Sequence, residues 1–359
     1  MGRRILVTGI DTFWGGRMAQ ALEQDPEVEL VLGLGRTPPR VRLERAEVVR
    51  TDQAYTLLSR IVRATQVDTV VHTFLVVDST KASGRALHEI NVIGTLNLLA
   101  ACSQPEAAVR QVVVKSSTLV YGASPRDPAW FDEDHPRVAQ AATRLERSLL
   151  EVEGLVRDFA EDNPDIVVSV LRFANVLGPN ITTPLSTGLA RRLAPVISGF
   201  DPLLQFVEEH DVVRALAHAT TERLPGTYNV AGAGKVPWRE VLASCGALPL
   251  RLPPLGTQLA AAPLVRLGVL EFPPELDALL RYGRGVDTRR FEAAGFRYAA
   301  TTAGAVERFA RALRLRRSVG QEPPGYTYEQ DVEEFFRRSP AVIRRPEGPP
   351  RRTARSQQI

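Results

Sequence analysis

Short apolar runs alternate with longer stretches of helical periodicity through the first half of the chain. The runs are nearly continuous in apolar side chains, which is typical of strands that are buried on both faces of a parallel sheet. They predict strands at Ile5–Val7, Val28–Leu34, Glu47–Val49, Val67–His72, Val109–Val114 and Asp165–Leu171. The periodic stretches predict helices at Trp14–Leu22, Tyr55–Ala64, Ala86–Cys102 and Ala139–Glu161. This order predicts an α/β fold, a doubly wound parallel sheet covered by helices, over residues 1–173.

The second half has a looser pattern, with proline and glycine between its segments. It predicts helices at Glu209–Thr221, Pro237–Ser244, Pro274–Leu280 and Thr302–Leu313. We expect residues 174–313 to form a smaller C-terminal lid that binds substrate, partly interleaved with the core, over the carboxyl ends of the strands. Residues 314–359 are expected to be a linker, a short helix at Tyr328–Arg337 and a basic, disordered tail.

Composition and charge exclude several classes of protein. Hydrophobic residues make up 44% of the 359 residues, enough for a sizeable core. The longest stretch without a charged residue, Phe173–Ala190, contains prolines and asparagines that do not suit a membrane span. The net charge of +4 equals that of residues 340–359, which hold five arginines and one glutamate. The remaining chain is neutral, so neither nucleic acid nor a membrane is an expected partner.

Cysteine and histidine usage points to a cytoplasmic protein without a metal. The two cysteines show no spacing motif, which indicates a reducing compartment, and the five histidines show no metal-ligand spacing. The chain begins at once with a short strand and lacks the features of a secretory signal. Lysine occurs only at positions 81, 115 and 235, a bias against lysine that we attribute to genome composition.

A glycine-rich turn joins the first strand to the first helix, in a Rossmann arrangement. The sequence there is Thr8-Gly9-Ile10-Asp11-Thr12-Phe13-Trp14-Gly15. Such a turn binds the pyrophosphate of a dinucleotide, because the first N–H groups of the helix are unpaired and the helix dipole favours an anion. Gly9 allows the tight turn and Gly15 allows close packing. Thr12 replaces the middle glycine, so its β-carbon is expected to displace the phosphates or shift the loop, although its hydroxyl offers them a hydrogen bond.

The end of the second strand bears on the choice between NAD and NADP. Where an acidic residue would bind the ribose hydroxyls, the chain reads Gly33-Leu34-Gly35-Arg36-Thr37. Gly35 leaves room and Arg36 brings a positive charge, a combination that suits a 2′-phosphate. Either cofactor is compatible with the turn, and Arg36 favours NADP slightly.

Further motifs occur in a fixed order along the chain. They are Asp52 after the third strand, Asn91 to Leu99, Ser116 to Gly122, Leu171 to Pro179, Phe206 to Val213, Gly226 to Gly232 and Asp287 to Arg290. With the opening turn, they resemble the extended short-chain dehydrogenase/reductases, specifically the NAD-dependent epimerase/dehydratase family that acts on nucleotide sugars. The resemblance runs from about residue 3 to about residue 313. It implies a homodimer formed through the two long helices Ala86–Cys102 and Ala139–Glu161.

The resemblance also implies roles for individual residues. Asp52 would contact the adenine, Thr73 and Phe74 would line the cofactor, and Asn91 would stabilise the helix behind the active site. Ser117 takes the place of the catalytic serine or threonine. Phe173 and Asn175 would lie where nicotinamide and substrate meet, and Asp211 would anchor the lid. For Asn91, Asp211 and Arg172, structural hydrogen bonding is the alternative, which we favour for Asp211.

The family's proton-transfer pair is absent. In the family, a tyrosine is followed four residues later by a lysine on the same helix face. Here Leu145 and Leu149 take these two positions, and no tyrosine in the chain has a lysine four residues on. Substitutes for proton transfer are Tyr121 and Ser117 at the sheet edge, His135 or Asp134, and Arg144 or Arg147, although arginine is a poor base.

Two functions of different kinds follow from these observations. The first is an NAD(P)-dependent oxidoreductase of the epimerase/dehydratase type, acting on a nucleotide sugar or a related hydroxylated molecule with an atypical active site. The second is a non-catalytic NAD(P)-binding protein that uses the cofactor as structure or as a redox signal. A reductase of steroid-like or lipid alcohols is a third candidate, suggested by the apolar stretch Leu252–Val265.

Overall fold

The computed structural model describes residues 2–51, 55–80 and 82–319, with strands and helices alternating through the first half as predicted. The strands are β1 (Arg3–Thr8), β2 (Val28–Gly35), β3 (Glu47–Arg50), β4 (Thr69–His72), β5 (Gln111–Ser117), β6 (Val167–Phe173), β7 (Asn175–Leu177), β8 (Leu193–Ile197), β9 (Leu203–Leu204), β10 (Phe206–Glu208), β11 (Gly226–Val230), β12 (Val236–Pro237) and β13 (Leu248–Leu252). The helices are α1 (Phe13–Glu23), α2 (Tyr55–Thr65), α3 (Gly84–His88), α4 (Gly94–Cys102), α5 (Arg144–Asp162), α6 (Pro184–Ala190), α7 (Glu209–Thr221), α8 (Trp238–Cys245), α9 (Thr257–Arg266), α10 (Pro274–Tyr282), α11 (Arg289–Ala293) and α12 (Thr302–Val319).

Seven parallel strands form the central sheet, in the order β3-β2-β1-β4-β5-β6-β11. The order reverses between β1 and β4, and the loops that follow these two strands diverge there to opposite sides. Ligands of open α/β sheets bind at such a switch point, outside the carboxyl ends of the strands. The predicted doubly wound sheet is therefore confirmed, and its switch point lies beside the glycine-rich turn.

Alternating residues of the strands fill two separate apolar layers. Val113 of β5 packs on the face covered by α1 and α7, whereas its neighbours Val112 and Val114 pack on the face covered by α2, α4 and α5. This alternation follows from the two-residue period of a strand. It places the amino terminus of α1 and the side chain of Lys115 on the same face, because Lys115 is two residues beyond Val113.

Residues after 174 form a separate apolar cluster and also add to the core of the central sheet. A separate apolar cluster joins α6, α8, α10 and α12 to the parallel pair β8 and β13. The chain nevertheless returns to the central sheet at β11, which pairs with β6, and α7 covers that sheet. None of the helices in the described part of the chain is long and apolar enough to cross a membrane.

Local hydrogen bonds explain where observed boundaries differ from the sequence prediction. Helix α5 begins at Arg144 rather than at 139, because the Thr143 hydroxyl accepts a hydrogen bond from the Glu146 N–H and caps the helix there. The predicted helix Ala86–Cys102 starts two residues earlier and contains a π-helical turn at Glu89–Ile93. Helix α12 continues to residue 319, into the predicted linker. The predicted helix Tyr328–Arg337 and the tail lie outside the described residues.

A buried histidine joins the ends of β1 and β4 to the π-helical turn. His72 Nδ1 is 2.7 Å from the Thr8 hydroxyl, and Nε2 is 3.1 Å from the Thr95 hydroxyl. The Thr95 hydroxyl donates its proton to the Asn91 carbonyl at 2.5 Å, so it accepts from Nε2–H, and Nδ1 accepts from Thr8. This arrangement requires the neutral ring, and burial lowers the pKa of His72 to about 4.

We expect His72 to make folding sensitive to acid. Between the unfolded pKa of 6.5 and the folded pKa of about 4, only the unfolded chain binds the proton, so stability falls as the pH falls through this window. The loss amounts to about 3 kcal/mol. Urea unfolding of the wild type and of His72→Gln, which does not titrate, should show this extra loss in the wild type alone between pH 7 and pH 4.5. Parallel pH profiles of the two proteins would refute the role of His72.

Candidate active site

The glycine-rich turn is closely packed and hydrogen-bonded within itself. A β-carbon on Gly15 would lie 2.0 Å from the Gly9 carbonyl oxygen, and Gly9 has a φ of +68° with Phe74 directly against it. Thr12 caps α1, since its hydroxyl accepts from the Gly15 N–H and donates its proton to the Gly9 carbonyl oxygen at 2.7 Å. The turn therefore keeps its tight geometry, but the Thr12 proton that was suggested for a phosphate is engaged inside the turn.

The predicted cofactor residues of the turn divide into two groups. Phe13 and Trp14 are buried in the first turn of α1, with their rings edge to face at 4.9 Å between centroids. Asp11 instead extends to the end of β2, where its carboxylate accepts hydrogen bonds from the N–H groups of Arg36 (2.8 Å) and Thr37 (3.0 Å). A carboxylate therefore lies beside Arg36, at the end of β2, where the sequence predicts that the ribose binds. Asp52 lies outside the described residues.

Residues after β4 hold the loop that faces the turn. Thr73 donates its hydroxyl proton to the Thr8 carbonyl oxygen at 2.7 Å. Asn91 is fully buried, and its amide pairs with both the N–H (2.8 Å) and the carbonyl (2.9 Å) of Val76. These hydrogen bonds are structural, and they fix the loop between β4 and α3 against the end of β1.

Ser117 ends β5 with a hydroxyl proton that is not engaged. Its Oγ accepts a hydrogen bond from the Leu119 N–H at 3.2 Å, and over the described part of the chain it donates to no acceptor. The adjacent Ser116 is buried and donates to Glu153 at 2.5 Å. Ser117 pairs in register with Phe173, so the predicted serine and the predicted nicotinamide residue lie side by side. Asn175 is half-buried and begins β7, two residues further on.

Tyr121 lies in a buried polar network rather than facing a cleft. Its hydroxyl donates to Asn229 Oδ1 at 2.8 Å and accepts from Arg172 Nη1 at 2.7 Å, while its ring stacks on Phe131. Burial raises the pKa of Tyr121, and Arg172 offsets this only in part. Arg172 also forms a partly buried ion pair with Glu153 at 2.6 Å. Tyr121 and Arg172 therefore connect β6, β11 and α5, which is the structural alternative considered for Arg172.

The two leucines at the positions of the family's proton-transfer pair are fully buried. Leu145 and Leu149 belong to a closed apolar cluster that also contains Val76, Leu87, Ile90, Val120, Tyr121, Phe131, Ala174, Ala231 and Val286. Asp211 is buried as well, and its carboxylate accepts from the N–H groups of Ala299 and Ala300. His135 and Asp134 are in the loop before α5, where Asp134 pairs with Arg290.

Lys115 is a polar residue of this region that the sequence analysis missed. It lies on β5, is only 3% exposed, and its ammonium is 5.2 Å from the Trp14 ring centroid and 5.7 Å from that of Phe173. One signal was available, because Lys115 ends the run Val112-Val113-Val114 that reads as a buried strand. A charged side chain at the end of a buried strand is rarely a packing residue.

Gly15→Ala tests the close packing at the turn. The new β-carbon would overlap the Gly9 carbonyl, so α1 must move away. We expect a loss of about 2 kcal/mol or more in the free energy of unfolding, and loss of NADH binding. Gly154→Ala, in the middle of α5, is the matched control, because its β-carbon would make only an ordinary contact, 4.0 Å from Arg157 Nη2, and should stabilise the helix slightly. Equal stability and NADH affinity in both variants would contradict this account of the turn.

The sequence is similar to a known protein family and to a mycobacterial protein. The sequence profile of the NAD dependent epimerase/dehydratase family matches residues 5–231. An uncharacterized protein of Mycobacterium tuberculosis is 36% identical over 291 residues, which are 80% of this chain and 77% of that protein.

Solved structures share the fold at low sequence identity. A UDP-glucose 4-epimerase from Thermotoga maritima, solved with UDP-glucose, matches with a TM-score of 0.68 and 16% identity, over 88% of this chain and 99% of the other. A dTDP-glucose 4,6-dehydratase from Streptomyces venezuelae, solved with NAD, matches with a TM-score of 0.67 and 22% identity, over 88% and 98%. The match of the family profile to more than half of the residues, together with the mycobacterial relative, establishes that this chain belongs to the NAD dependent epimerase/dehydratase family.

Proposed function

We propose that the protein is an NAD(P)-dependent oxidoreductase of the epimerase/dehydratase type, acting on a nucleotide sugar or a related hydroxylated molecule through an atypical active site. The observation that carries this proposal is Ser117. It ends β5 beside Phe173, is partly exposed, and has an available hydroxyl proton. Such a hydroxyl can donate a hydrogen bond to a substrate oxygen and orient it towards the nicotinamide. The solved epimerase and dehydratase with similar folds act on sugars of this kind, as their names state.

The turn and its surroundings fit a nicotinamide dinucleotide. Gly15 lets the amino terminus of α1 pack directly on the turn after β1, and the first-turn N–H groups of α1 face an anion site at the switch point of the sheet. When bound, the nicotinamide supplies reversible hydride transfer. Arg36 favours the 2′-phosphate of NADP, and the neighbouring Asp11 carboxylate opposes it. We therefore expect affinities for NADH and NADPH that differ by no more than about tenfold.

We further propose that residues 174–313 cover the substrate and that the protein is cytoplasmic. Ser79, in the loop after β4, donates to the Glu275 carboxylate of α10 through both its N–H (3.1 Å) and its hydroxyl (2.8 Å). This contact joins residues 174–313 to the cofactor side of the sheet and supports their role in covering a substrate.

Both cysteines are free thiols, in keeping with a reducing, cytoplasmic compartment.

A non-catalytic NAD(P)-binding protein is the second candidate, and the leucine pair favours it. Leu145 and Leu149 cannot transfer a proton, and they exclude water from the position of the family's tyrosine. The hydroxyl of Tyr121 is engaged by Asn229 and Arg172, so it does not replace that tyrosine. In this case the cofactor would bind at the same turn without turnover.

Cofactor binding and turnover separate the two candidates. Titration with NADH and NADPH, followed by nicotinamide fluorescence, should show binding of at least one. A panel of nucleotide sugars should then show turnover that Ser117→Ala lowers by about a hundredfold without changing cofactor affinity. Ser103→Ala, an exposed serine after α4, is the matched control and should behave as the wild type. Binding without turnover would establish the second candidate, and no binding would exclude both.

We also propose a homodimer formed through the helices of residues 84–102 and 144–162. Ile93 and Leu96 lie one turn apart on the first of these and are 41% and 44% exposed, which suits a covered interface. Sedimentation should therefore show a dimer, and Ile93→Glu should raise its dissociation constant at least about tenfold. Leu259→Glu, at an exposed leucine of α9, is the control and should leave the dimer intact. A monomeric wild type would refute the interface.

A further inference from the structure

Lys115 carries a positive charge into the protein without a partner of opposite charge. Its side chain is 97% buried, and within residues 2–51, 55–80 and 82–319 its ammonium makes neither a hydrogen bond nor an ion pair. Among the described residues, the ammonium instead lies over the faces of two aromatic rings, Trp14 on α1 and Phe173 on β6.

Packing alone does not explain a lysine at this position. A buried ammonium without a counter-ion costs several kcal/mol, whereas a cation–π contact returns about 0.5–2 kcal/mol. Methionine would fill a similar volume between Trp14 and Phe173 at no such cost. Burial is also the one cause that lowers the pKa of Lys115, to about 8, and no charged group of the described residues contributes to that shift.

The Lys115 ammonium lies close to the glycine-rich turn that is proposed to bind the cofactor. Trp14 is the second residue of α1, directly after the turn, and Phe173 is the last residue of β6. The ammonium therefore lies between the amino terminus of α1 and the carboxyl edge of the sheet, on the face that α1 covers. This is the side on which the helix dipole and the first-turn N–H groups attract an anion.

The glycine-rich turn lacks one contact to that anion. Thr12 takes the place of the glycine that would let the backbone approach a pyrophosphate, and its hydroxyl proton is used by the Gly9 carbonyl. A cationic side chain reaching in from β5 can compensate, because a lysine side chain extends farther than a backbone N–H group and its charge-assisted hydrogen bond is stronger than a neutral one.

We propose that Lys115 is the counter-ion of the cofactor pyrophosphate, held between Trp14 and Phe173 until the dinucleotide binds. This inference rests on the proposed function, because it takes a nicotinamide dinucleotide as the ligand. The bound diphosphate gives the ammonium the partner that the protein alone does not supply. Binding must also keep Lys115 protonated, so proton uptake accompanies dinucleotide binding and increases as the pH rises above about 8.

Lys115→Met tests this role by ligand binding and stability, without reference to turnover. The variant removes a desolvated charge, so without cofactor it should be at least as stable as the wild type. Its dissociation constants for NADH and for ADP-ribose, which retains the pyrophosphate but lacks nicotinamide, should each rise at least about tenfold at pH 7. Lys235→Met is the matched control, because the Lys235 ammonium lies over the Trp130 ring and donates to the Ala129 carbonyl, away from the turn, and its affinities should equal those of the wild type.

Proton uptake by the unmodified protein provides a second, independent test. Wild-type affinity for ADP-ribose should fall about tenfold from pH 7 to pH 9, and Lys115→Met should show no such fall. Calorimetry at pH 8.5 in two buffers of different ionisation enthalpy should detect the proton taken up by the wild type.

Three results would overturn the role of Lys115 while the proposed function stands. They are unchanged affinities in Lys115→Met, weakening of NADH binding but not of ADP-ribose binding, and no proton uptake by the wild type at pH 8.5. A wild type that binds neither ligand would instead overturn the proposed function itself.

Discussion

The contact between Gly15 of α1 and the carbonyl of Gly9 is the constraint on which the rest of the structure depends. It brings the amino terminus of the first helix onto the end of β1, and only a residue without a β-carbon permits this approach. The dipole and the N–H groups of α1 then lie at the switch point of the sheet. Thr12 stabilises the same turn by capping α1. Because its hydroxyl proton is donated to the Gly9 carbonyl, that proton is not available to a ligand.

In the proposed site, the polar side chains lie on strand β5 rather than on helix α5. On α5, Leu145 and Leu149 close an apolar cluster where the family carries its proton-transfer pair. On β5, Lys115 and Ser117 lie on one face, two residues apart, and both have polar groups that the described residues leave available. Arg172 and Glu153 keep the intervening Ser116 and the adjacent Tyr121 within a structural network. According to the proposal for Lys115, the positive charge that meets the cofactor comes from within the sheet.

The sequence predicts most of this fold because strands buried on both faces of a parallel sheet appear as nearly continuous apolar runs. The order of apolar runs and the glycine-rich turn were sufficient for the doubly wound sheet, whereas Ser117 was singled out by the resemblance of residues 116–122 to the family. The start of α5 was placed too early, because the cap at Thr143 depends on one side-chain hydrogen bond. The short strands β7 to β13 were missed, including β11 of the central sheet, since two to five residues show no periodicity. Lys115 was missed because its burial depends on Trp14 and Phe173, which are distant in sequence.

Direct observation of the bound cofactor tests the central claim, that the turn before α1 binds a dinucleotide in spite of Thr12. A crystal structure of the protein grown with saturating NAD should show the pyrophosphate over the first turn of α1, within hydrogen-bond distance of the backbone N–H groups and of the Lys115 ammonium. A cleft without dinucleotide under those conditions, closed by the side chains of Thr12 and Trp14, would contradict the account and leave only the architecture.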